Sequence, residues 1–139
     1  MRLLFLGDVM GRSGRAAIVT HLPRLRVELA LDFVVVNGEN ASGGMGLTGA
    51  HAAELLAAGA DCLTLGDHAF DQKDMLNFIE QEPRIIRPLN FSKVAPGKGV
   101  RVFEATQGRK VLVTQALGQV FMKRPFDDPF SALEQVLKI

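Results

Sequence analysis

Three times in the first 70 residues a short apolar run ends in a glycine followed by a carboxylate. Leu3-Leu4-Phe5-Leu6 runs into Gly7-Asp8, Phe33-Val34-Val35-Val36 into Asn37-Gly38-Glu39-Asn40, and Cys62-Leu63-Thr64-Leu65 into Gly66-Asp67-His68. The acids stand 31 and 28 residues apart, close to the ~30 residues of one βαβ unit. Uninterrupted apolar runs of this length read as strands buried on both faces of a parallel sheet. Helical spacing of Ile18, Val19, Leu22, Leu25 and Leu29 predicts a helix from Arg15 to Ala30, kinked or split where Pro23 removes a donor. Thr48 is placed to cap a second helix that runs through Ala58 and stops at Gly59, and a third is expected from Lys73 to Glu80. Strand, loop and helix repeated in this order predict right-handed crossovers in a mainly parallel α/β sheet.

Beyond the third unit the pattern changes. Ile85-Ile86 reads as a brief fourth strand, and Val100 to Glu104 and Lys110 to Thr114 as a hairpin joined at Gln107-Gly108. Asp128-Pro129 looks like an N-cap with proline at the first helical position, opening a helix through Leu137. With 139 residues, 47% of them hydrophobic, the expectation is a single domain spanning 1–139 around one apolar core. Sixteen Lys plus Arg against fifteen Asp plus Glu leave a net charge of +1, so no broad field draws the chain to DNA or to a membrane surface. No apolar run approaches the ~18 to 20 residues of a membrane span. A single Cys62 inside an apolar run fits a soluble protein of the reducing cytoplasm. Trp and Tyr are absent, leaving nine Phe for any stacking against a base or partner.

Parallel strands with similar offsets deliver Asp8, Glu39 and Asp67 to one carboxyl edge of the sheet, where open α/β folds bind their ligands. Three carboxylates gathered there repel one another unless a cation sits among them, which points to divalent metal. Asn40 adds a neutral oxygen and His68 an imidazole beside the same cluster. Taken singly, an acid after a strand is more often a turn or cap residue; the coincidence of three favours a site. Asp71 and Asp74 at the third helix, and Asp127 and Asp128 at the last, read as caps. His21 and His51 lack companion acids, and Cys62 reads as core. Gly7-Asp8-Val9-Met10-Gly11-Arg12-Ser13-Gly14 imitates a nucleotide fingerprint, but it lacks the Gly-Lys-Ser/Thr ending and puts a charge where a pyrophosphate would approach. Gly43-Gly44-Met45-Gly46 reads as a long turn.

Gly7-Asp8-Val9-Met10-Gly11, Asn37-Gly38-Glu39-Asn40-Ala41-Ser42-Gly43-Gly44 and Gly66-Asp67-His68-Ala69-Phe70-Asp71 together resemble the successive signatures of the calcineurin-like metallophosphoesterases, and more narrowly the YmdB-type bacterial subfamily. Arg87-Pro88-Leu89-Asn90-Phe91, the Pro96-Gly97-Lys98-Gly99 turn and Asp127-Asp128-Pro129-Phe130 extend the resemblance over nearly the whole chain. It implies an αββα sandwich, here its N-terminal half. It also implies two divalent metal ions, usually iron or manganese with magnesium as the other candidate, and hydrolysis of phosphodiesters of cyclic nucleotides. By position, Asp8 would bind one metal, Glu39 would bridge both and Asp67 would bind the other. Asn40 would be a further metal ligand, and Asn40 and His68 would meet the substrate phosphate or the leaving group, with His68 as the catalytic proton donor. The subfamily has Asn where this chain has Asp67, and it places further histidine ligands in a downstream half. No histidine follows His68 here. The expectation is therefore half of a dinuclear site, completed by a second chain or left without turnover. The competing reading is an inactive metal- or nucleotide-binding fragment that acts through protein interaction. Self-association through the hairpin, with Val102, Phe103, Val111 and Val113 as contacts, is expected in either case.

Overall fold

The computed structural model describes residues 1–138. Strands β1 (Leu3–Leu6), β2 (Phe33–Asn37), β3 (Cys62–Thr64) and β4 (Ile85–Ile86) form one wholly parallel sheet in sequence order. Helices α1 (Gly11–Glu28), α2 (Gly49–Ala57) and α3 (Met75–Gln81) make the crossovers. The antiparallel pair β5 (Val100–Glu104) and β6 (Lys110–Thr114) forms a second sheet, and α4 (Pro129–Leu137) follows. This is the mixed α/β architecture that the strand repeat predicts. No helix among the described residues is long and apolar enough to cross a membrane.

The register decides which side chains make which layer. Leu3 pairs with Phe33, Val35 with Cys62 and Thr64 with Ile86, so these residues share one face of the sheet. The alternate residues Val34, Val36, Leu63 and Ile85 share the other, and they pack with Leu22, Leu55, Met75 and Ile79 from the three helices. Each such apolar side chain removed from water contributes about 1.5–3 kcal/mol. The first face meets the hairpin, where Phe33, Cys62 and Ile86 bury against Val111 and Val113 with Phe103 alongside. Burial pushes the Cys62 thiol up to about 12, which agrees with its reading as core.

Several expectations change. β1 is not buried on both faces: it is the edge strand, and the hairpin leaves Leu3 54% and Phe5 63% exposed. Helix α1 starts at Gly11 and is not split at Pro23, which lies on its exposed side where an unpaired carbonyl can meet water. It ends with Ala30 at a φ of 48°, where Ala30 N–H reaches Val27 O and Leu31 N–H reaches Arg26 O. Helix α2 ends in the same pattern of bonds, but with Gly59 at a φ of 113°. Asp74 does not cap α3 through its side chain. Its Oδ2 instead accepts from Gly49 N–H at 2.8 Å, the first residue of α2, which approaches so closely that a Cβ on Gly49 would stand 2.7 Å from the Phe78 ring. Asp128 caps α4 as expected, accepting from Ser131 N–H at 2.8 Å. Asp127 is not the N-cap of α4; its backbone is bonded to Asn90.

Candidate functional site

The strand ladder continues past the strand ends and fixes the three acids relative to one another. Val9 N–H donates to Asn37 O at 3.1 Å, Gly38 N–H to Thr64 O at 3.0 Å and Gly11 N–H to Asn40 O at 3.0 Å. Asp8 turns out of β1 with a φ of 48°, a left-handed conformation that aspartate tolerates better than most residues. Its Oδ1 accepts a 2.7 Å bond from Asn40 Nδ2. That bond engages the amide N–H, so the amide oxygen of Asn40 is the atom left for a cation or a phosphate.

Glu39 is the least satisfied polar group in the cluster. Its Oε2 is buried without a hydrogen-bond partner among the described residues, and its Oε1 has only a long 3.4 Å contact from Asn37 Nδ2. Burial, followed by the nearby Asp67 carboxylate, raises its pKa above the usual carboxylate range. The side chain fits there because residue 66 is glycine: a Cβ at that position would overlap the Glu39 carboxylate. A carboxylate held in a cradle, beside a second carboxylate and with one oxygen unpaired, is a donor set suited to a divalent cation. Among the described residues no three His, Cys, Asp or Glu side chains enclose a single point. The acids form an open edge, with Glu39 beside Asp67 and Asp8 held by Asn40.

His68 lies between two acids. Its Nδ1 is 2.6 Å from Asp71 Oδ2 and its Nε2 is 3.9 Å from Asp67 Oδ2. The bond to Asp71 is the first cause of a raised His68 pKa, with Asp67 adding to it against partial desolvation. A proton on Nδ1 shared with Asp71 leaves Nε2 to face the site. The role of Asp71 was missed in the sequence because an acid near a helix start reads as a cap; the His-x-x-Asp spacing within a tight turn is the signal that would have found it. Asp71 is also 3.7 Å from Arg124 Nη2, a contact that spans more than fifty residues of sequence and left no local trace. Gly43, Gly44 and Gly46 all have positive φ and form the turn expected of them, tied to the His68 segment by Gln72 Nε2 on Met45 O at 2.6 Å. His51 anchors this turn through a 2.7 Å bond to Ser42 Oγ.

Comparison with known proteins gives the family of the chain. The model of the YmdB-like protein family matches residues 4–139. The chain belongs to the YmdB-like family. It is 38% identical over 137 residues to a 2′,3′-cyclic-nucleotide 2′-phosphodiesterase of Bacillus subtilis (strain 168), with 99% of this chain and 51% of that protein covered. A crystal structure of a protein from Thermus thermophilus superposes with a TM-score of 0.90 at 43% identity, over 98% of this chain and 52% of that one. A phosphatase of Mycoplasma pneumoniae superposes with a TM-score of 0.86 at 34% identity, over 95% of this chain and 48% of that one. The chain thus spans about half the length of the YmdB-like relatives it matches.

Proposed function

We propose that this chain is a metal-dependent phosphoesterase that hydrolyses phosphodiesters, cyclic nucleotides among them. The observation that carries the reading is the unpaired, buried Glu39 oxygen beside Asp67 in the cradle left by Gly66. The names of the Bacillus subtilis and Mycoplasma pneumoniae relatives support it. Glu39, Asp67 and Asp8 are the residues that would hold two divalent ions, of iron, manganese or magnesium, with the Asn40 oxygen as a further donor.

Bound divalent ions supply neutralisation of phosphoryl charge and a lowered pKa for the attacking water. The chain's own residues do the rest. Asn40 holds Asp8 through its amide N–H, which would leave its amide oxygen for a cation or a phosphate. Asp71 accepts the Nδ1 proton and favours the imidazolium form of His68, whose Nε2–H would give its proton to the departing alkoxide oxygen and leave a neutral ring. Hydrolysis of bis-p-nitrophenyl phosphate by the manganese- or iron-loaded chain tests the proposal. Wild type is expected to exceed Asp8→Asn by at least about 100-fold, in line with loss of a group that stabilises charge in the transition state. Equal rates would leave the inactive binding fragment as the better reading.

We also propose that a second copy covers the exposed face of β1 and the hairpin. Phe103, Val111 and Val113 are not the contacts, because the register turns them inward against the sheet. Val102 and Leu112 pair on the outer face, 56% and 40% exposed, and Phe5 adds its exposed ring at the sheet edge. Sedimentation at micromolar concentration is expected to show a dimer that Phe5→Asp dissociates; a wild-type monomer at all concentrations would exclude it.

A further inference from the structure

The loop between β6 and α4 is fastened more firmly than a connection requires. Asn90, 1% exposed, anchors it: its Nδ2 donates to Leu117 O and to Asp127 O, both at 2.9 Å, and its Oδ1 accepts from Leu117 N–H at 2.9 Å. Beside it the Phe91 and Phe126 rings stack with centroids 5.1 Å apart and planes 4° from parallel. Gln119 Nε2 crosses the loop to Phe126 O at 2.9 Å. Both feet are therefore fixed, while the tip between them carries Phe121, Lys123 and Arg124. Phe121 is 99% exposed and has a φ of 62°, a conformation that any side chain with a Cβ disfavours. No core contact compensates for an apolar ring held in water on strained backbone.

The tip and the site border one cavity of about 390 Å3, within the range of about 300–1,000 Å3 common for small-ligand pockets. Asp67, His68 and Asp71 line it together with Phe121, Lys123 and Phe126. Arg124 is paired with Asp71, whereas Lys123 makes no ion pair among the described residues. A flat aromatic face and an unpaired cation, lining one cavity with a phosphate-handling edge, are complementary to a ligand with a π-system at one end and a phosphate at the other. In a chain without Trp or Tyr, phenylalanine is the residue available for such stacking.

We propose that residues 119–124 form the nucleoside-reading subsite of this enzyme, with Phe121 stacking on the nucleobase and Lys123 contacting a phosphate oxygen. The inference deepens the phosphodiesterase reading and rests on it for the position of the phosphate. Because every base has a π-face, the subsite favours nucleotides over simple phosphates and discriminates weakly among bases.

Binding of adenosine 5′-monophosphate and of inorganic phosphate to the 139-residue chain in magnesium buffer, followed by NMR with labelled phenylalanine and by calorimetry, tests it. Adenosine monophosphate is expected to shift the Phe121 ring resonances and to bind at least about ten-fold more tightly than phosphate, within the roughly 5- to 150-fold that one stacked base supplies. Phe121→Ala should remove that advantage and leave phosphate affinity unchanged, Phe121→Tyr should restore it, and Lys123→Gln should weaken both ligands. The exposure of Phe121 keeps its variants folded. Adenosine monophosphate binding no more tightly than phosphate, or equally well to Phe121→Ala, would overturn the subsite. Hydrolysis of bis-p-nitrophenyl phosphate separates the two readings. Phe121-dependent nucleotide binding without hydrolysis upholds the subsite and sinks the activity; metal-dependent hydrolysis with no Phe121 effect on nucleotide binding does the reverse.

Discussion

Gly66→Ala is expected to abolish tight metal binding while leaving the metal-free chain folded. The added Cβ would overlap the carboxylate of Glu39, and that carboxylate is the far end of a flexible side chain, not backbone. It can swing away by changing rotamer, which moves it out of line with Asp67 at little cost elsewhere. Gly66 is buried but does not have positive φ, so alanine introduces no backbone strain. The metal-free variant even gains from releasing a buried oxygen that has no hydrogen-bond partner. Calorimetric titration with manganese should show affinity lower by at least about 100-fold, since changing partners one bond removed from a metal already costs about 10- to 100-fold. Thermal melting in chelator should show a midpoint at or above that of wild type. A variant that binds manganese normally would mean that Glu39 is not a metal ligand; one that unfolds would mean that Gly66 serves the fold.

Glu39→Gln should weaken manganese binding far more than His68→Ala. The glutamine is nearly isosteric but brings neither the negative charge nor the second acceptor oxygen of the carboxylate. Because burial and Asp67 both disfavour the charge on Glu39, its removal should not destabilise the metal-free protein. His68 is tied to Asp71, outside the Glu39–Asp67 pair, so its loss should fall on turnover and leave most of the metal affinity. Titration of both variants decides it: equal affinities would remove Glu39 from the metal site. The comparison also separates the two roles assigned at this edge, because a metal ligand and a proton donor fail in different assays.

Much of the fold was legible because its signals are local. Apolar runs of four residues, the glycine and acid that end each, the Thr48 and Asp128 caps and the Gly59 stop are each read within a few residues, and the structure uses all of them. The placement of the candidate site at one sheet edge followed from the same signals, because parallel strands joined by crossovers of nearly equal length must present equivalent ends together. The split expected at Pro23 does not occur, because a break in local bonding says nothing about which side of the helix carries it. Phe103, Val111 and Val113 misled for a related reason, since apolar character alone does not tell which layer a strand face will meet.

By itself the sequence determined the strands, their parallel direction, the hairpin and the carboxylates at the strand ends, since periodicity and turn chemistry act over short stretches of chain. Only the tertiary structure decided that β1 stands at an exposed edge, that Asp74 caps α2 instead of α3 and that Asp71 orients His68. It likewise decided that Gly66 makes room for Glu39 and that Phe121 and His68 line one cavity. Each of these relations joins positions on separate elements, and their meeting depends on how sheet, helices and loops pack in three dimensions, which no single stretch of sequence encodes.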